Sequence, residues 1–184
     1  MKKQSYSETM PKGIVTPTSL TIMVQAAMIA AIYVVLTYIA NALGLANYAV
    51  QVRFSEALTI LPYFTPAAIP GLTIGCLLSN ILTGCALPDI IFGSIATLLG
   101  ALGTYALRRW KWCSPICPII SNMIIVPLVL IYGYGLVKEG SSVLQSFGFF
   151  CLTVGIGEVI SCGILGMVLL LELEKYRGRI FGNF

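Results

Sequence analysis

Seven acidic side chains occur in the 184 residues, and Glu158 sits near the middle of an apolar stretch running from about Phe147 to Leu171. A carboxyl group at that depth is expensive in hydrocarbon. It is ordinarily kept facing a protected interior, where it binds or moves something. Asn80 and Asn122 interrupt two other apolar stretches, and at ~1.5 Å rise per residue all three side chains fall within roughly 6 Å of the membrane midplane. Three polar groups at one depth on three helices suggest a shared cavity. The alternative for each Asn is a bond to a neighbouring helix, worth about 0.6 kcal/mol on average. Arg53, Glu56 and Asp89 stand nearer the ends of apolar stretches. Arg53 and Glu56 are three apart and can pair on one helical face. Glu56 and Asp89 lie close to helix starts, where the macrodipole favours a carboxylate even without a ligand.

The remaining chemistry is pruned by what the chain lacks. It has no histidine, so His-based acid–base catalysis, Ser-His-Asp triads and His-containing metal sites are excluded. No phosphate-binding P-loop and no Gly-x-Ser-x-Gly elbow occur. A hydrolase using Glu158 as base would lack a second catalytic group at compatible depth. The six cysteines (76, 85, 113, 117, 151 and 162) are scattered and read as small apolar residues. Cys113 and Cys117 alone do not make a metal site. The expectation is a protein with no catalytic centre, metal or cofactor of its own.

The elements that must position these groups follow from composition. With 58% hydrophobic residues, 10% charged and a mean hydropathy of +0.92, the chain is too apolar for a soluble domain. Its apolar runs have the length a helix needs to cross ~30 Å of hydrocarbon, and barrel-type alternation is absent. The predicted fold is therefore all-α, an integral membrane bundle of six transmembrane helices. The spans are Leu20–Leu43, Phe54–Phe64, Ala67–Leu87, Asp89–Leu107, Pro115–Val137 and Phe147–Leu171. The second is too short alone and must be tilted, re-entrant or extended back through Tyr48. A single domain covers residues 20–172, between a polar lead (1–19), which is not a cleavable signal peptide, and a C-terminal tail (173–184).

Lys2, Lys3, Lys12, Arg108, Arg109, Lys111, Lys175, Arg177 and Arg179 all fall on one side of that arrangement, leaving Arg53 and Lys138 on the other. The positive-inside rule then places both termini and the Arg108–Lys111 loop in the cytoplasm. The net charge of +4 is a topology signal, and no nucleic-acid partner is implied. On the first span, Ala26 and Ala30, and Ala27 and Ala31, form adjacent stripes of small residues four apart. Such stripes let another helix approach closely, either within the chain or from a partner.

The run Val52-Arg-Phe-Ser-Glu-Ala-Leu-Thr-Ile-Leu-Pro-Tyr-Phe-Thr-Pro-Ala-Ala-Ile-Pro-Gly-Leu-Thr-Ile-Gly-Cys-Leu-Leu-Ser-Asn80, followed by Asp89-Ile-Ile-Phe-Gly-Ser-Ile-Ala-Thr-Leu-Leu-Gly-Ala101, resembles the QueT family of substrate-binding components of energy-coupling factor (ECF) transporters. The residues before Leu20 and the Cys113–Cys117 stretch match no such pattern. The resemblance implies a bacterial plasma-membrane protein that captures a queuosine precursor, a 7-deazaguanine base such as queuine or its aminomethyl relative. It also implies hand-over to a transmembrane coupling protein with two ATPases, docked on Ala26, Ala27, Ala30 and Ala31. The adjacent N–H donors of such a base suit two-pronged acceptance by Glu158. An amine-bearing precursor would find a counterion in Asp89 or Glu56, while Asn80, Asn122 and Gln51 meet ring polar groups and Arg53 holds Glu56. Tyr48, Tyr132, Tyr134 or Phe147 would stack on the ring. Two rival readings stand beside this one: a proton-coupled secondary transporter working through Glu158 and Asp89, and a substrate-binding subunit for another vitamin-like heterocycle.

Overall fold

A computed structural model describes residues 19–45, 51–138 and 140–181, and all their regular structure is helical. Helix α1 spans Ser19–Ala42, α2 Ala68–Leu82, α3 Leu87–Ala106 and α4 Ile116–Leu128. A π-helical stretch, Val129–Gly133, extends α4. Helix α5, Val143–Glu158, runs through a second π-helical stretch, Val159–Leu165, into α6, Gly166–Lys175, and a short α7, Arg177–Ile180, follows. Among the described residues, four continuous helical stretches are long and apolar enough to cross a membrane: Ser19–Ala42, Leu87–Ala106, Lys111–Gly133 and Val143–Lys175. Their outward faces carry residues such as Met23, Met28, Ile91, Ile120 and Leu152, all exposed as lipid-facing side chains would be.

The second expected span takes a different form. Phe54–Tyr63 is a 3-10 helix of 10 residues, covering only ~20 Å at ~2.0 Å per residue. Ser55 through Pro62 are all buried, and the segment touches α1, α2, α3, α6 and the π stretch of Val159–Leu165. It is the centre of the bundle. Ile60 packs there with Leu72, Leu170, Phe64 and Tyr33, and Phe64 stacks on Phe181 with ring centroids 4.9 Å apart.

Local chemistry moves two helix ends from their expected places. Helix α2 stops at Leu82 and not at Leu87, because Gly84 adopts a positive φ of 73° that ends the helix, a conformation glycine takes without steric cost. Helix α5 starts four residues before Phe147, at Val143, because Ser142 and Gln145 form a reciprocal capping box. The Ser142 hydroxyl accepts from the Gln145 amide at 3.3 Å, and the Gln145 side chain accepts from the Ser142 amide at 2.9 Å. At one end of the bundle Lys111 bonds Glu174 at 3.0 Å, so the loop after α3 lies beside the end of α6. Trp110 and Trp112 are exposed at that end, as interfacial aromatic residues are.

Consecutive helices pack side by side, and α1 and α2 approach closely through small residues. A Cβ on Gly71 would stand 2.8 Å from the Ala26 carbonyl, and one on Gly75 would stand 2.8 Å from the Tyr33 Cβ and 3.1 Å from Ala30. The stripe of Ala26 and Ala30 therefore serves packing within the chain. Ala27 and Ala31 stay exposed, and all four alanines border an outward apolar groove completed by Pro70, Ile74 and Leu78. Gly75→Ala is expected to lower stability by about 1–3 kcal/mol through overpacking. Gly148→Ala, a site with no neighbour within 4 Å, should instead raise it by about 0.5 kcal/mol through helix propensity. Thermal unfolding of the two detergent-solubilised variants would show opposite shifts.

Candidate functional site

The chain enters the bundle through Gln51, Val52 and Arg53, which lie outside regular secondary structure ahead of the 3-10 segment, with Arg53 in extended backbone. Two contacts pin it against the α5 side. The Arg53 amide donates to the Ser161 hydroxyl at 3.1 Å. Gly157 also leaves its face open to the Gln51 carbonyl, which any Cβ at that position would strike. Gln51 and Arg53 thereby stand between two adjoining polar cavities and line both.

The outer lobe, about 200 Å³, is bounded by Thr37 and Asn41 of α1, Asn80 of α2, the Thr83–Cys85 turn and Asp89 at the start of α3. The Asn80 amide donates to the Asp89 backbone carbonyl at 3.3 Å, which ties the end of α2 to the beginning of α3. The Asp89 carboxylate accepts only a long bond of 3.5 Å from the Tyr134 hydroxyl. The inner lobe, about 20 Å³, is bounded by Asn122 and Val126 of α4 and by Val154 and Glu158 of α5. That is room for about one water molecule. Asn122 and Glu158 thus share a void, but Asn80 belongs to the other one, so the single chamber expected for the three residues is divided. The wall between the lobes is a weak one, since Arg53 Nη2 reaches Gln51 Oε1 at 3.4 Å.

Glu56 lines neither lobe. It is 2% exposed, its Oε1 accepts from the Tyr33 hydroxyl at 2.5 Å, and its Oε2 has no partner. The expected ion pair with Arg53 does not form: among the described residues the ion pairs are Lys111–Glu174 and Lys175–Glu172. Arg53 precedes the helical segment in extended backbone and turns to Gln51, whereas Glu56 faces α1. Tyr33 holds Glu56 in the role foreseen for Arg53. No sequence pattern singles out that tyrosine from its apolar helix.

Glu158 is 8% exposed, and its Oε2 accepts from the Cys162 thiol at 3.1 Å. One carboxylate oxygen each of Glu56 and Glu158 and the Cys162 sulfur lie within 4.8 Å of one another, the densest set of possible metal ligands among the described residues. Within it Tyr33 engages Glu56 Oε1 and the thiol engages Glu158 Oε2, while Glu56 Oε2 has no partner. The i, i+4 spacing of Glu158 and Cys162 was the signal for this contact. Reading every cysteine as a small apolar residue misses it.

Among the described residues, none of the aromatic side chains considered for stacking borders either lobe. Tyr132 is 76% exposed, Tyr134 bonds the Ala86 amide outside the cavity, and Phe147 is half-buried on α5. Tyr48 lies outside the described residues. What the arrangement offers is a polar recess in an apolar bundle, with two carboxylates, a guanidinium and four side-chain amides bordering one or both of its halves.

A family model described as the QueT transporter matches residues 23–175 of this chain. A curated relative from Lactococcus lactis subsp. cremoris (strain MG1363), named queuosine precursor transporter QueT, is 34% identical over 90 residues. The match covers 48% of this chain and 53% of the relative, so the chain spans about half the length of the curated protein it resembles. No solved structure matches. With its family match running from α1 to the end of α6, this chain belongs to the QueT transporter family.

Proposed function

We propose that the protein is the substrate-binding subunit of an ECF-type ABC importer that takes up a queuosine precursor, a 7-deazaguanine base. The observation that carries this reading is the convergence of Glu158, Asn122, Gln51, Arg53, Asn80 and Asp89 on two adjoining lobes inside an apolar bundle. The name of the Lactococcus lactis relative, queuosine precursor transporter QueT, supports the choice of cargo. A deazaguanine edge presents one carbonyl acceptor beside two N–H donor groups. Glu158 is the carboxylate for the donors, and Arg53, Gln51 or Asn122 supply a donor for the carbonyl. Charge-assisted bonds of this kind are about twice as strong as neutral ones.

The inner lobe is too small for a ring, so the ring occupies the outer lobe and reaches Glu158 by displacing the Gln51–Arg53 contact. A bond of 3.4 Å costs little to give up. Asp89, whose carboxylate holds only the long Tyr134 bond, is then the counterion for an aminomethyl substituent. Glu56, sealed beneath Tyr33, is not.

The protein binds no nucleotide itself, and its energy comes from two partner ATPases through a transmembrane coupling protein. The groove bordered by Ala26, Ala27, Ala30 and Ala31 is where that protein docks. Ala27 and Ala31 make the contact, because Ala26 and Ala30 are committed to α2. Both termini face the cytoplasm of a bacterial cell, which the grouping of Lys111 and Glu174 at one end of the bundle supports. One observation favours a second reading, proton-coupled transport: Glu56 and Glu158 lie close together without a bonded cation. Uptake that persists without the partner ATPases would select it.

Glu158→Gln should weaken 7-deazaguanine binding at least tenfold, about 1.4 kcal/mol, with the bundle still assembled. Titration calorimetry on the purified protein measures this, and an unchanged Kd removes Glu158 from the site. Ala31→Phe fills the groove without touching either lobe. It should leave Kd within about twofold while abolishing co-purification with the coupling module and uptake by cells.

A further inference from the structure

Cys162 is fully buried at 0% exposure, and its sulfur lies within reach of three oxygens: Glu158 Oε2 at 3.1 Å, the Glu56 backbone carbonyl at 3.4 Å and Thr59 Oγ1 at 3.4 Å. A thiol has one proton, so at most one of these is a full donated bond. The Thr59 hydroxyl proton is already given to the Glu56 carbonyl at 2.6 Å, which leaves Thr59 Oγ1 only as an acceptor and the Glu56 carbonyl already served. The carboxylate is the nearest acceptor and the most strongly hydrogen-bonding of the three. The thiol proton therefore goes to Glu158.

The geometry around this contact is fixed on both sides. Thr59 and Glu56 belong to the central 3-10 segment, so the sulfur is held between that segment and the π-helical stretch that begins immediately after Glu158. Such stretches recur at functional sites, where they re-aim a helix face. Glu158 Oε2 is thus engaged from below by Cys162, while the residue itself borders the inner lobe with Asn122, Gln51 and Arg53. A carboxylate with one oxygen tied down presents the other in one orientation, as a precise acceptor for a ligand requires.

We infer that Cys162 is the positioning residue of the substrate site, its thiol holding the Glu158 carboxylate in the orientation that accepts the ligand. This rests on the reading of Glu158 as a ligand-binding group. It predicts a dependence that packing alone would not give, namely that Cys162 matters to affinity only while Glu158 is a carboxylate.

The test is a double-mutant cycle on the full chain in detergent. Titration calorimetry with 7-aminomethyl-7-deazaguanine gives Kd, and a thermal melt gives stability. Cys162→Ala should weaken binding about tenfold, whereas Cys162→Ser, which keeps a donor of nearly the same size, should stay within about threefold of the parent. In the Glu158→Gln background, Cys162→Ala should change Kd less than twofold, while its lowering of Tm persists because the lost packing is independent of the carboxylate. Equal losses of affinity in both backgrounds, or no loss from Cys162→Ala, would overturn the positioning role and leave the binding site standing. Failure of the parent protein to bind the base at all would overturn the site reading, and the positioning role with it.

Discussion

Backbone that is not α-helical can lie at membrane depth only where protein surrounds it, because lipid offers no hydrogen bonds to the exposed amides and carbonyls. The 3-10 segment Phe54–Tyr63 imposes that condition on the whole bundle. Helices α1, α2, α3 and α6 close around it, and the small residues of α1 and α2 are what bring those two helices near enough to do so. Once it is enclosed, its N-terminal end places the chemistry. Gln51 and Arg53 enter beside α5, and Glu56 emerges under Tyr33.

Charge is distributed around that segment with little direct pairing. Arg53, Glu56, Asp89 and Glu158 contribute one cation and three carboxyl groups, and none of them takes part in an ion pair among the described residues. The groups are held instead by neutral donors: Tyr33 on Glu56, Cys162 on Glu158 and Tyr134 on Asp89. Breaking a tight buried ion pair is costly, because it strands an uncompensated charge. Neutral donors avoid that cost, so carboxylates held in this way stay available to an incoming cation or donor.

Much of this was legible in the sequence, and the failures have specific causes. The long apolar stretches gave four membrane-length helices within a few residues, since apolar length is the strongest signal a lipid-exposed helix carries. Six of the seven candidate site residues do reach the two lobes; Glu56 does not. Their division was not legible. Depth along a span places Asn80 level with Asn122 but says nothing about which way each helix face turns. The 3-10 segment is buried on every side, so it shows no amphipathic period to read, and Pro62 within it removes an amide that a regular helix would use. Tyr33 and Cys162 were missed because both carry their single polar atom on an otherwise apolar body.

The widened turn Val159–Leu165 gives the α5–α6 helix a mechanical property of its own. Each residue in a regular helix advances about 100° around the axis, so a stretch holding more residues per turn sets the angular phase between everything before it and everything after it. Losing one residue there would swing Glu158 and Gly157 by roughly a quarter turn relative to Leu170 and the core beneath. The helix thus behaves as a shaft with a keyed joint, and a change in residue count at the joint alters the aim of the site without altering the identity of any side chain that forms it.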